Sequence, residues 1–100
     1  MPAYVVAQMT LHDPEKYGRY VPTAVETIAA HGGHLLVASG SADVREGTIP
    51  APRTIIVEFP SKEAAAAWYE SEAYQAVLPL RLESSHGCLF IVDGFVMPSG

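Results

Sequence analysis

The sequence predicts an α+β domain of ferredoxin-like βαββαβ order. An antiparallel sheet carries two helices on one face and pairs with a second copy to form a dimeric α/β barrel. Three observations predict this. Segments of strand and helix character alternate as strand, helix, strand, strand, helix, strand. Right-handed crossovers then place both helices on the same side of the sheet. The strand segments are apolar on both faces, so the side without helices also needs cover.

The first strand is Ala3 to Met9, rich in Val and Tyr. Asp13-Pro14-Glu15 opens the first helix: Asp13 caps free N–H groups, Pro14 suits the first helical position, and Glu15 favours the positive end of the helix dipole. Tyr17, Tyr20, Val21, Ala24, Ile28 and His31 share one face at helical spacing. Pro22 removes one backbone bond and predicts a bend, and Gly32-Gly33 ends the helix. His34 to Ser39 is the second strand, followed by the polar loop Gly40 to Pro52 and a third strand, Arg53 to Phe59. Ser61 caps the second helix. Ser71 caps a short further segment with Tyr74, Val77 and Leu78 that Pro79 is expected to end. Cys88 to Asp93 is the last strand.

One hundred residues, 49% hydrophobic and 17% charged, make a single domain over residues 1–100 and exclude a disordered chain. No apolar stretch approaches the ~20 residues of a membrane span. The Met1-Pro2-Ala3-Tyr4 start shows no signal-peptide pattern. The six Lys and Arg stand against eleven Asp and Glu, for a net charge of −5, and are scattered. Nucleic acid and anionic membrane surfaces are therefore not expected partners. A single cysteine, Cys88, fits a reducing cytoplasm and reads as an inert thiol at the start of a buried strand.

The unshielded sheet face sets the assembly. The runs Tyr4-Val5-Val6-Ala7, Leu35-Leu36-Val37-Ala38, Ile55-Ile56-Val57 and Leu89-Phe90-Ile91-Val92 do not alternate with polar residues. About 600 Å² of apolar area on such a face would be worth roughly 15 kcal/mol as an upper bound, which rivals the stability of a small domain. A homodimer through the sheet face follows; a subunit twisted enough to cover itself is the competing arrangement.

Asp13-Pro14 with Tyr17 and Tyr20, His31-Gly32-Gly33, Glu46-Gly47, Val57-Glu58-Phe59-Pro60-Ser61, Ala67-Trp68-Tyr69 with Tyr74-Gln75, Arg81 and Asp93-Gly94 occur in this order over nearly the whole chain. In these blocks the sequence resembles domain-of-unknown-function family 1330. The resemblance implies a ferredoxin-like dimeric α/β barrel and no established activity or catalytic residue. Its wider superfamily includes cofactor-free monooxygenases, isomerases, dehalogenating and haem-handling enzymes and plain binders, which bear on this chain by fold analogy alone.

Several residues could carry chemistry. Tyr17, Tyr20, Trp68, Tyr69 and Tyr74 lie on the helices. They either pack helix onto sheet or line a pocket whose phenols bind or protonate a small substrate. Glu58, inside an apolar strand, is a structural ion-pair partner or a desolvated acid–base group. Glu46 in the long loop closes a cleft, bridges to the partner or is simply solvated. Arg81 clamps an anion or holds a carboxylate such as Glu83. His31 and His34 are three apart, but Gly32-Gly33 separate them and no third ligand stands near, so no metal site is expected. Ser84-Ser85-His86 lacks the setting of a hydrolytic nucleophile.

The expected protein is a cytoplasmic homodimer that binds a small organic or anionic molecule and has no tightly held cofactor. Its pocket draws on Tyr20, His31, Glu46, Glu58, Tyr69 and Arg81, with Glu58 or His31 as the catalytic candidates. Cofactor-independent catalysis is one form of this reading. A non-enzymatic dimeric binding, stress or regulatory module is the alternative.

Overall fold

The computed structural model describes residues 1–98. The chain forms β1 (Ala3–Leu11), α1 (Pro14–Ala30), β2 (His34–Ser39), β3 (Arg53–Phe59), α2 (Lys62–Glu70), α3 (Glu72–Ser84) and β4 (Ser85–Asp93). The strands build one antiparallel sheet in the order β2-β3-β1-β4, the ferredoxin-like arrangement expected.

The helix starts follow the capping residues. The Asp13 side chain accepts from the Lys16 N–H at 3.1 Å, the Ser61 hydroxyl from Ala64 at 3.1 Å, and the Ser71 hydroxyl from Tyr74 at 3.3 Å. α1 continues through Pro22 and stops at Gly32, whose φ of 77° is a conformation that glycine adopts freely. Gly87 is required for a different reason. A Cβ there would lie 2.0 Å from the Gln8 carbonyl oxygen, where β4 crosses close to β1.

Two features of the chain's second half differ from expectation. Pro79 does not end the helix, which runs on to Ser84. Pro79 is exposed, and the turn beyond it is held from outside: the Ser84 carbonyl accepts from the N–H groups of His12 and Asp13, and Ser85 Oγ donates to the Arg81 carbonyl at 2.7 Å. Cys88 is exposed rather than buried. The strand already begins at Ser85, and Cys88 pairs with Gln8 on the face that no helix covers.

In β1 and β3 the side chains alternate between the two faces, while β2 carries a bulge between Leu35 and Val37. Ala3, Val5, Ala7 and Met9 of β1 and Val57 and Phe59 of β3 are buried under the helices, with Trp68, Tyr74, Leu78, Tyr20 and Ile28 above them. The alternate residues face away from the helices. In register these include Tyr4 with Glu58 and Val92, and Val6 with Ile56 and Phe90. This open face is half-buried at its centre, while Phe90 and Val92 remain 45% and 40% exposed. No helix among the described residues is long and apolar enough to cross a membrane.

Candidate functional site

Between α1 and the sheet lies a cleft of about 90 Å³. One wall is the apolar side of α1: Val21, Ala24, Val25 and Ile28. The other is the helix-facing side of the strands: Val5, Ala7, Met9, Leu35, Ala38, Ile55, Val57 and Leu89. The helix pitch and the two-residue strand period place these residues on facing surfaces, and the bulge in β2 brings Ala38 to the same side as Leu35. The polar side chains in its lining are Tyr17, Tyr20, Arg53, Arg81 and the Trp68 indole.

The polar groups form a buried chain. Arg81 Nε donates to the Tyr74 hydroxyl at 3.3 Å, and that hydroxyl lies 2.7 Å from the hydroxyl of Tyr20. Tyr74 is fully buried between α1 and α2. Its ring centroid is 4.2 Å from that of Trp68 and 5.6 Å from that of Tyr69. The Trp68 indole N–H donates to Thr27 Oγ1 at 3.0 Å, which itself donates to the Ala24 carbonyl, so the Trp68 ring is fixed against α1. On the other side, the Tyr17 ring sits 5.4 Å from Tyr20, and the Arg53 guanidinium carbon lies 5.8 Å from the Tyr17 centroid.

Electrostatics hold these groups in defined protonation states. Burial, reinforced by the neighbouring Tyr74 hydroxyl, raises the Tyr20 pKa well above the ordinary phenol value, so Tyr20 remains a neutral hydrogen-bond donor. Burial works against the Arg81 charge. The Tyr74, Tyr20 and Tyr69 hydroxyls around it outweigh that effect, and its pKa stands above the usual guanidinium value. No carboxylate or imidazole is among the lining residues. The cleft can therefore donate hydrogen bonds and stabilise negative charge, but it supplies no side-chain base that works near neutral pH.

Of the six residues that the sequence grouped into one pocket, Tyr20 and Arg81 line the cleft. Glu58 lies on the opposite sheet face, where its carboxylate accepts from the Tyr4 hydroxyl at 3.0 Å; this bond raises the Tyr4 pKa. His31 caps α1, with its ring Nδ1 2.9 Å from the Thr27 carbonyl oxygen. Tyr69 packs at a tilt beside Tyr74 but opens onto a separate depression with Ala66, Glu70 and Phe90. Glu46 is exposed in the loop after β2, next to Gly47, whose φ is 72°. His34 is exposed at the start of β2, and among the described residues no group of three His, Cys, Asp or Glu could hold a metal ion.

Sequence reasoning missed Arg53 as a site residue and undervalued Tyr74. The signal for Arg53 was available: it lies two residues before Ile55 and four before Val57, hence on the same side of the strand.

The family described as Domain of unknown function (DUF1330) matches residues 2–95. The chain belongs to this family. Comparison with curated proteins gives no match. Among solved structures, the DUF1330 chain is similar to a protein of unknown function from Rhodopseudomonas palustris, with 14% identity and a TM-score of 0.76 over 96% of this chain and 84% of the other. It is also similar to SnoaB, a cofactor-independent oxygenase from Streptomyces nogalater, with 11% identity and a TM-score of 0.68 over 96% and 95% of the two chains. A third, from Mycobacterium tuberculosis, shows 14% identity and a TM-score of 0.61 over 99% and 100%. At these identities the likeness is one of fold, and it places the DUF1330 chain among ferredoxin-like α+β proteins.

Proposed function

We propose that this DUF1330 protein is a homodimer, joined through the open sheet face, whose subunits each bind a small organic molecule in the cleft between α1 and the sheet. The cleft carries the reading. It sets apolar walls against a short run of convergent donors, which is the usual make-up of a small-molecule site. Arg81 anchors negative charge. Because Arg81 already donates to the Tyr74 oxygen, Tyr74 can donate to Tyr20, which leaves the Tyr20 proton for a ligand.

The dimer is supported by area. The chain exposes 6209 Å², against roughly 5,500 Å² for a monomeric protein of its mass. The excess approaches the ~800 Å² that each partner of a standard interface buries. Phe90 and Val92 provide apolar contact on that face, with Val6 and Ile56 at its centre.

Two forms of function fit the cleft. In one the protein binds and releases its ligand unchanged. In the other, Arg81 and Tyr20 stabilise negative charge on a substrate oxygen in a cofactor-independent reaction, a possibility that the likeness to SnoaB raises. The lack of a carboxylate or imidazole in the lining favours the first, since proton removal would have to rely on the acidity of the substrate itself. Cytoplasmic location accords with a lone, exposed thiol.

The test is a thermal-shift screen of compact neutral and charged fragments on the wild type and on Val25→Trp, which places an indole at the cleft mouth. At least one fragment is expected to raise the Tm of the wild type and to lose that effect in the variant. Stabilisation that survives Val25→Trp, or none from any fragment, contradicts the cleft reading.

A further inference from the structure

We infer that the cleft takes an organic carboxylate, with its charged head at the end marked by Arg53 and Arg81 and its apolar body along α1. The inference rests on the cleft reading above and adds the chemical class of the ligand.

The disposition of the cations points to it. Four of the six Lys and Arg pair with carboxylates at the surface: Lys16 with Glu83, Arg19 with Glu15, Arg45 with Asp43 and Lys62 with Asp93. The remaining two, Arg53 and Arg81, have no carboxylate partner among the described residues, and both line the cleft. In an acidic chain with eleven Asp and Glu, unpaired cations are not forced by composition.

Arg53 adds an unmet requirement. Its Nε is buried and has no hydrogen-bond partner. A buried N–H without an acceptor is costly, and a charged one more so. The side chain enters on the helix-facing side of β3, opposite Met9, and its guanidinium lies against the Tyr17 ring. That contact engages the ring face but supplies no hydrogen-bond acceptor to Nε. A carboxylate does supply one, because its two oxygens match the fork of a guanidinium. The apolar walls beyond this end suit a hydrocarbon body and give no further donors for a highly charged head.

Calorimetric titration at fixed ionic strength tests the inference with benzoate, its neutral isostere benzamide, and inorganic phosphate. The proteins are the wild type, Arg53→Gln, Arg81→Gln and the loop control Arg45→Gln. Benzoate is expected to bind the wild type at least about tenfold more tightly than benzamide or phosphate. Arg53→Gln is expected to remove at least about tenfold of the benzoate affinity and to weaken benzamide by clearly less, since an amide oxygen accepts from a guanidinium without the charge. Arg45→Gln should leave both unchanged. Arg81→Gln should also weaken benzoate; since Arg81 holds Tyr74, the decision rests on the half-exposed Arg53. Equal binding of benzoate and benzamide overturns the carboxylate inference but leaves the cleft reading standing. So does phosphate binding as tight as that of benzoate, or benzoate affinity retained in Arg53→Gln. Binding of no probe at all overturns both.

Discussion

At the Tyr20 hydroxyl, burial beneath α3 and the bond to Tyr74 keep the proton on oxygen well above the ordinary phenol range. The unfolded chain ionises near the model-peptide value of 10.0, while the folded chain resists ionisation. The unfolded state then binds fewer protons than the folded one, so stability declines as pH rises above that value and is unaffected by this group below it. The Tyr20 contribution to the alkaline slope is expected at about 1 kcal/mol per pH unit, and urea denaturation of wild type against Tyr20→Phe measures it. A slope unchanged in Tyr20→Phe contradicts the assignment. Tyr20 was legible as a site residue because helical spacing placed it on the inner face, and Arg81 because a guanidinium suits an anion, although the sequence left Glu83 open as its partner. Glu58 was misplaced because composition drew attention to a carboxylate among apolar residues, while alternation decided its side: Val57 and Phe59 point to the helices, so Glu58 cannot. Tyr74 gains its role from a contact 54 residues away in sequence, which periodicity does not reveal.

At the scale of elements, the caps Asp13, Ser61 and Ser71 and the stop at Gly32-Gly33 could be read directly, because capping is a local bond between a side chain and a backbone three residues on. The last turn of α3 could not. Its continuation past Pro79 depends on His12 and Asp13, brought over from the other end of the chain to the Ser84 carbonyl. Pro22 in α1 is the simpler case. It is exposed and its ring supports no core contact, yet it removes one backbone bond from the helix interior. Pro22→Ala is therefore expected to stabilise the protein by about 1–2 kcal/mol, the restored bond and relieved crowding being offset in part by a more flexible unfolded chain. Equilibrium urea unfolding measures this, and a loss of stability would contradict it by showing that Pro22 supports the fold.

At the scale of the molecule, three helices shield one side of a four-stranded sheet and leave Tyr4, Val6, Ile56, Phe90 and Val92 on the other. The shortest extent of the chain is 16 Å, the depth of a sheet and a single helical layer. Its radius of gyration, 14.2 Å, exceeds the roughly 13 Å of a compact domain of this length. Apolar exposure continues beyond β4, where Phe95 and Met97 are each 77% exposed. The ferredoxin-like order and the apolar second face were both legible in the sequence, because each follows from periodicity and crossover handedness. A second copy is expected to cover that face, and the mass in solution tests this most directly. Sedimentation equilibrium at micromolar concentration is expected to give twice 10.7 kDa for the wild type, and the single-chain mass for Phe90→Arg. A wild type that sediments as one folded 10.7 kDa chain, with that face in water, would contradict it.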